Sequence, residues 1–219
     1  MDNQTVNAIQ LLLIDLDDTV YPPDTGAWDI LADRIYQFME MYVGIPHEKI
    51  HEERDRLFHL HGTTMKGLHL EYGADSNRYL DYVHSVDLSG VITEDPALRR
   101  ALLEIPIEKW IFTNASRAHA EQILRLVGIR DLFTEIIDVA DTDPYCKPDP
   151  LAFLHALERA SNPDPACCLF VDDRAPNLDT AKALGMHTVH VDPTGSTSNT
   201  HITIKQLSDL PQALAQIEF

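Results

Sequence analysis

Three cysteines stand in 219 residues, and two of them, Cys167 and Cys168, are neighbours. No disulfide framework can be built from that set, so a reducing cytoplasm is the expected compartment. Basic residues are scarce as well: 17 Lys and Arg face 35 Asp and Glu, a formal net charge of −18. Such a surface repels nucleic acid and anionic membranes as partners. It leaves room for a small anionic substrate, because a metal and a lysine can reverse the field inside one cleft. No apolar run approaches the length that crosses a bilayer. The opening MDNQTVNAIQ holds an acid and no basic residue before Leu11, so no secretory leader is expected there.

The stretch Leu11 to Val20, LLLIDLDDTV, organises the chain. Its unbroken aliphatic run suits a strand covered on both faces, as in the middle of a parallel sheet. Asp15, Asp17 and Asp18 crowd its carboxyl end, where open α/β sheets bind ligands. Three carboxylates so close repel one another unless a cation sits among them.

After a turn-rich hinge at Tyr21 to Gly26 the texture changes. Helical periodicity predicts a first helix from Trp28 that Gly44-Ile45-Pro46 stops, and others from His47 to His61 and from Asp75 to Ser85, with no credible strand among them. A helical insertion following a buried strand points to a cap, residues 21–87, on a core of 1–20 and 88–219. From Gly90 strands and helices alternate. Strands are expected at Lys109 to Phe112, Glu135 to Val139, Cys168 to Val171 and His187 to Val191, with a further one at Ile202 to Ile204. Helices between them start at caps Asp95, Ser116 and Asp149. A Thr/Ser/Gly/Asn loop is expected at Thr194 to Thr200. The fold class is therefore α/β: a Rossmann-like, doubly wound parallel sheet with an inserted α-helical cap.

Polar residues fall at four corresponding places. The first strand ends in Asp15-Leu16-Asp17-Asp18-Thr19, the second in Thr113-Asn114, the fourth in Asp172-Asp173, and the loop after the third holds Lys147-Pro148. In a parallel sheet all four open onto one edge and can converge on one cleft. Asp15 and Asp17 also share a side of the extended chain. The set makes a metal-assisted site for a phosphate group.

In chain order DLDDT, FTNAS, the lysine of CKPDP, and FVDDR resemble the signatures of the haloacid dehalogenase-like hydrolase superfamily. The resemblance implies that Asp15 attacks phosphorus and forms an aspartyl-phosphate, while Asp17 serves as general acid and then general base. Thr113 and the backbone amide of Asn114 would hold phosphate oxygens, and Lys147 would neutralise nucleophile and phosphate. Mg²⁺ would be bound by Asp15, the main-chain carbonyl of Asp17 and Asp173, with Asp172 in the outer shell; the last two could exchange roles. Superfamily members that cleave carbon–halogen bonds lack the second aspartate, since a halide needs no proton, so Asp17 favours phosphate esters. Asn177 stands where many relatives carry an acid, which weakens outer-shell support on this reading.

The expected partner is a small phosphorylated metabolite. The segment His61 to Leu68, HGTTMKGL, resembles the cap signature of the pyrimidine 5′-nucleotidase branch, as does TNAS followed by His119. That resemblance implies a nucleoside monophosphate and gives Thr63, Thr64 and Lys66 a part in specificity. An ordinary helix-to-helix turn with a solvated lysine accounts for the same residues. Phosphatases of sugar phosphates or phosphoglycolate, phosphomutases, and a binding protein on a retired scaffold are the alternatives. Six histidines fall between His47 and His84, but His59 and His61 are two apart and would face differently on a helix, so no second metal site is expected there. Trp28 and Tyr79 read as cap packing, and Cys146 reads as inert. Arg117 and Arg174 could each reach a phosphate or pair with a neighbouring acid.

Overall fold

The computed structural model describes residues 9–196 and 201–215. The opening residues 1–8, positions 197–200 of the expected polar loop, and residues 216–219 lie outside them.

A 6-stranded parallel sheet carries the fold. Its strands are β1 (Leu11–Ile14), β2 (Glu108–Phe112), β3 (Glu135–Ile137), β4 (Cys168–Asp172), β5 (His187–Val191) and β6 (Ile202–Ile204), in the order β3-β2-β1-β4-β5-β6. The reversal of order at β1 makes its carboxyl end the switch point, where a crevice opens between loops that leave in opposite directions. All four residues of β1 are buried. Leu12 and Ile14 pack into one layer with Ile123 and Leu124, and Leu11 and Leu13 into the other with Phe153 and Ala156. That two-faced burial is what the unbroken aliphatic run encodes.

The helices around this sheet begin where capping residues stand. Asp95 accepts from the backbone of α5 (Pro96–Leu103), Ser116 from α6 (Arg117–Val127) and Asp149 from α7 (Pro150–Arg159). These side chains satisfy amides that the first helical turn leaves unpaired. α8 (Ala175–Ala183) follows β4, and α9 (Leu210–Leu214) follows β6.

Between β1 and α5 come α1 (Ala27–Phe38), prolonged by a π turn at Met39–Val43, then α2 (Ile50–His61), α3 (Thr64–Tyr72) and α4 (Ser76–His84). They enclose a separate apolar cluster built on Leu31, Phe38, Leu57, Leu68, Tyr79 and Val83. At His61 to Leu68 the structure has a helix-to-helix turn, one of the two readings of this segment, and Gly62 and Thr63 alone form it. The Thr63 hydroxyl accepts from the Lys66 amide at 3.1 Å, an N-cap that starts α3 at Thr64. Gly67 then sits where a Cβ would lie 2.7 Å from the Leu57 Cβ, so α2 and α3 touch backbone to side chain. Glycine here sets the approach of two helices rather than the shape of a loop. No helix among the described residues is long and apolar enough to cross a membrane.

Candidate active site

Register brings the acids together before any side chain is considered. Ile14 pairs with Val171 across β1 and β4, and the ladder runs on, with the Asp15 amide donating to the Val171 carbonyl at 2.9 Å. One step past Ile14 and Val171, Asp15 and Asp172 stand side by side on adjacent strands. Two carboxylates at that spacing need a cation between them. Lys147 supplies one: its Nζ donates to Asp15 Oδ1 at 2.6 Å, to Asp172 Oδ2 at 2.9 Å and to the Phe112 carbonyl at 2.7 Å. Only 1% of this lysine is exposed. Burial alone would strip its proton, and the charges of Asp15 and Asp172 hold it above the ordinary lysine range instead.

Lys147 reaches that point because Asn114 anchors its backbone. The Asn114 side chain donates to the Lys147 carbonyl and accepts from the Lys147 amide, both at 2.9 Å. Thr113 is buried, and its hydroxyl oxygen accepts from the Ala115 amide at 2.9 Å, which leaves its own hydrogen free to donate. The Asn114 side chain thus has a structural task that its motif did not announce.

The two acids after β4 differ in kind. Asp172 is fully buried and saturated: besides Lys147, it accepts from the Arg174 amide at 2.8 Å and from Asn177 Nδ2 at 3.0 and 2.9 Å. Asn177 was expected to weaken this side of the site. It does the opposite, because an amide donates where a second acid would repel. Asp173 carries no such set of donors among the described residues and faces the cavity. Burial, then the charges of Asp15 and Asp172, push it well above the usual carboxylate range. Asp15 is raised too, by burial and Asp172 against the pull of Lys147. One carboxylate oxygen each from Asp15, Asp172 and Asp173 lie within 4.8 Å of one another. Hard oxygen donors with unrelieved negative charge suit a hard divalent cation.

Asp17 lies on the same cavity wall. Tyr21 donates its hydroxyl to Asp17 Oδ1 at 2.6 Å, and His119 Nε2 meets the same oxygen at 2.8 Å. Burial works to raise this carboxyl, but His119 and then Tyr21 outweigh it and hold the group below the usual range. The chain turns directly afterwards, with Asp18 in the left-handed region at φ 59°, a conformation that Asp tolerates better than most side chains. Burial and the Asp17 charge raise Asp18 to about 6.

Over these groups lies a cavity of about 440 Å³, whose far wall comes from α1–α4: Trp28, Leu31, Ile35, Tyr79, Leu80 and Val83. Trp28 and Tyr79 therefore both pack and line the site. Thr63 and Thr64 line it too, whereas Lys66 lies in the first turn of α3 outside the lining. Gly62 approaches the floor closely, since a Cβ there would lie 3.1 Å from the Lys147 carbonyl. The two arginines part company. Arg117 is tied to Glu135 and Asp141, each at 2.9 Å, while Arg174 lines the cavity with its guanidinium 4.3 Å from the Phe58 ring centroid. His84 of α4 lines it as well, and burial beside His119 lowers its imidazole to about 3. Tyr21, His84, Arg54 and Phe58 escaped sequence reasoning, because nothing local in the chain marks them.

A switch-point crevice with these four strand-end groups defines a hydrolase of the haloacid dehalogenase-like kind. The family model of that description matches residues 9–185, and the chain belongs to the family. Phosphate metabolism protein 8 of Saccharomyces cerevisiae is 26% identical over 201 residues, covering 84% of this chain and 62% of the yeast protein. The chain thus spans less than two thirds of that relative. A HAD phosphatase from Thermococcus onnurineus superposes with a TM-score of 0.63 at 19% identity, over 94% of this chain and 98% of that one. An L-2-haloacid dehalogenase from Xanthobacter autotrophicus gives the same TM-score of 0.63 at 18% identity, over 96% and 100%. Likeness at this level shows the fold, which houses both chemistries, so the choice between them rests on the site.

Proposed function

We propose that the protein is a Mg²⁺-dependent phosphomonoester hydrolase working through an aspartyl-phosphate on Asp15. The observation that carries this reading is Asp17, an acid held in the cavity two residues from the nucleophile. A halide departs without a proton, whereas an alkoxide needs one. Residues 1–20 and 88–219 form the catalytic core on this reading, and 21–87 the cap.

Asp15 attacks phosphorus as the ester oxygen leaves, and Asp17 gives that oxygen its proton. Asp17 is ionised in the free protein; a phosphate dianion arriving beside it raises its proton affinity, so the proton enters with the substrate. Asp17 then takes a proton from water, the water oxygen attacks phosphorus, and phosphate departs as the Asp15 carboxylate is restored. Lys147 orients Asp15 and offsets the charge of the phosphoryl oxygens, to which Thr113 and the Asn114 amide donate. Asp15, the Asp17 carbonyl and Asp173 would hold Mg²⁺, with Asp172 fixed behind them by Lys147 and Asn177. When bound, the ion supplies electrostatic stabilisation of the charge that builds on phosphate.

The leaving group lies against the wall of Trp28, Leu31 and Tyr79, which offers apolar surface to a nucleoside more than to a small sugar. We therefore assign a nucleoside monophosphate as substrate, a pyrimidine 5′-nucleotide by the likeness of HGTTMKGL, and the cytoplasm as compartment. p-Nitrophenyl phosphate should be hydrolysed with Mg²⁺, be spared in EDTA, and be spared by Asp15→Asn; robust turnover by that variant defeats the mechanism. A panel in which UMP and CMP do no better than glycolytic phosphates refutes the nucleotidase assignment and leaves the chemistry standing.

A further inference from the structure

We propose that His119 and Tyr21 are positioning residues that turn Asp17 so that Oδ2, and not Oδ1, exchanges the proton with the leaving group. The inference rests on the hydrolase reading above and goes beyond it. Both contacts fall on one oxygen: Tyr21 Oη lies 2.6 Å and His119 Nε2 2.8 Å from Oδ1. No hydrogen bond among the described residues reaches Oδ2, and Asp17 lines the cavity. A carboxylate accepts only, so the phenol and the imidazole both donate to Oδ1. That pairing survives when Oδ2 is protonated, because Oδ1 remains an acceptor. The carboxyl therefore keeps one orientation through both halves of the reaction, with its free oxygen towards the reacting group.

His119 is itself held on three sides. Its side chain is fully buried, its amide is capped by the Ser116 hydroxyl oxygen at 3.4 Å, and its ring stacks on His84 with centroids 4.6 Å apart and planes 23° from parallel. His84 Nδ1 in turn meets the Ser116 hydroxyl at 2.8 Å. A histidine serving as core filler would pack among aliphatic side chains. This one spans from a cavity-lining ring of α4 to the acid 102 positions before it in the chain.

A general acid matters in proportion to the basicity of the leaving group, which separates positioning from packing. His119→Leu should lower kcat/KM for an alkyl phosphate by at least about tenfold, and for p-nitrophenyl phosphate by less than about threefold. Tyr21→Phe should show the same pattern. His119→Gln, whose amide nitrogen can occupy the place of Nε2, should recover most of the loss on the alkyl ester. Equal losses on both esters, or a glutamine variant no better than leucine, would overturn the proposal. Asp17→Asn separates the two layers. If it shows no leaving-group dependence, the role of Asp17 fails and the proposal with it; if it does and His119→Leu does not, positioning alone fails. A readout without turnover completes the test: the His119 Nε2 proton should give an imidazole NMR signal protected from exchange that Asp17→Ala removes, and an unchanged signal refutes the contact.

Discussion

Replacing Lys147 by methionine isolates the charge at the centre of the site. The thioether stem keeps the contact with Phe112 and Phe170, whose ring centroids lie 5.0 and 5.1 Å from Nζ, and deletes three hydrogen bonds of 2.6, 2.7 and 2.9 Å. Asp15 and Asp172 are then left facing each other with no cation. Breaking a buried pair by removing one partner costs about 3–5 kcal/mol. In a protein of this size about 1 kcal/mol moves Tm by about 2–4 °C, so Tm should fall by roughly 6–20 °C at pH 8 in EDTA. The loss should shrink in acid, and the sign follows from the carboxylates. A carboxyl raised in the folded state above its unfolded value of 3.8 destabilises the fold at a pH above its folded pKa. It ceases to do so as pH falls and the folded form takes up its proton. Without Lys147 the Asp15 carboxyl rises further, so the gap between variant and wild type should narrow from pH 8 to pH 5. Differential scanning calorimetry at the two pH values checks both statements. A variant within about 1 kcal/mol of wild type at pH 8, or a gap that widens in acid, refutes the reasoning.

Asp173 is raised to about 8 by burial and its acidic neighbours, so EDTA-treated protein should gain stability as pH falls from 8 towards 5. At pH 8 Asp173→Asn should raise the Tm of that metal-free protein while abolishing the Tm increase on adding Mg²⁺; thermal shifts with and without the ion read both signs. Gly67→Ala would press a Cβ to 2.7 Å from the Leu57 Cβ and 2.9 Å from its Cδ2. It should destabilise the protein by about 1–3 kcal/mol in urea titrations, with kcat of the folded fraction retained.

Strand ends were legible because hydrophobic runs stop there. The aliphatic run of β1 locates Asp15, and that of β4 locates Asp172 and Asp173, at one edge of the sheet. Capping residues did the same for helices, and Thr63 could have been read that way had the likeness of its segment to a cap signature not weighed more. What stayed hidden is how side chains aim between elements. Nothing near Tyr21 marks it as a partner of Asp17 rather than part of a hinge, and the stacking of His84 on His119 joins α4 to α6 across more than thirty residues. Asn177 was misjudged for a related reason: its value depends on the saturated carboxylate it faces, and residue type alone does not report that.

The central claim is that Asp15 carries the phosphoryl group, and acid quenching during turnover tests it directly. Protein mixed with a good ester substrate and Mg²⁺, then denatured in acid and digested, should show one phosphoryl group on the peptide containing Asp15, and none in Asp15→Asn. A phosphoryl group on another residue, or an Asp15→Asn variant that still turns over, would contradict the account.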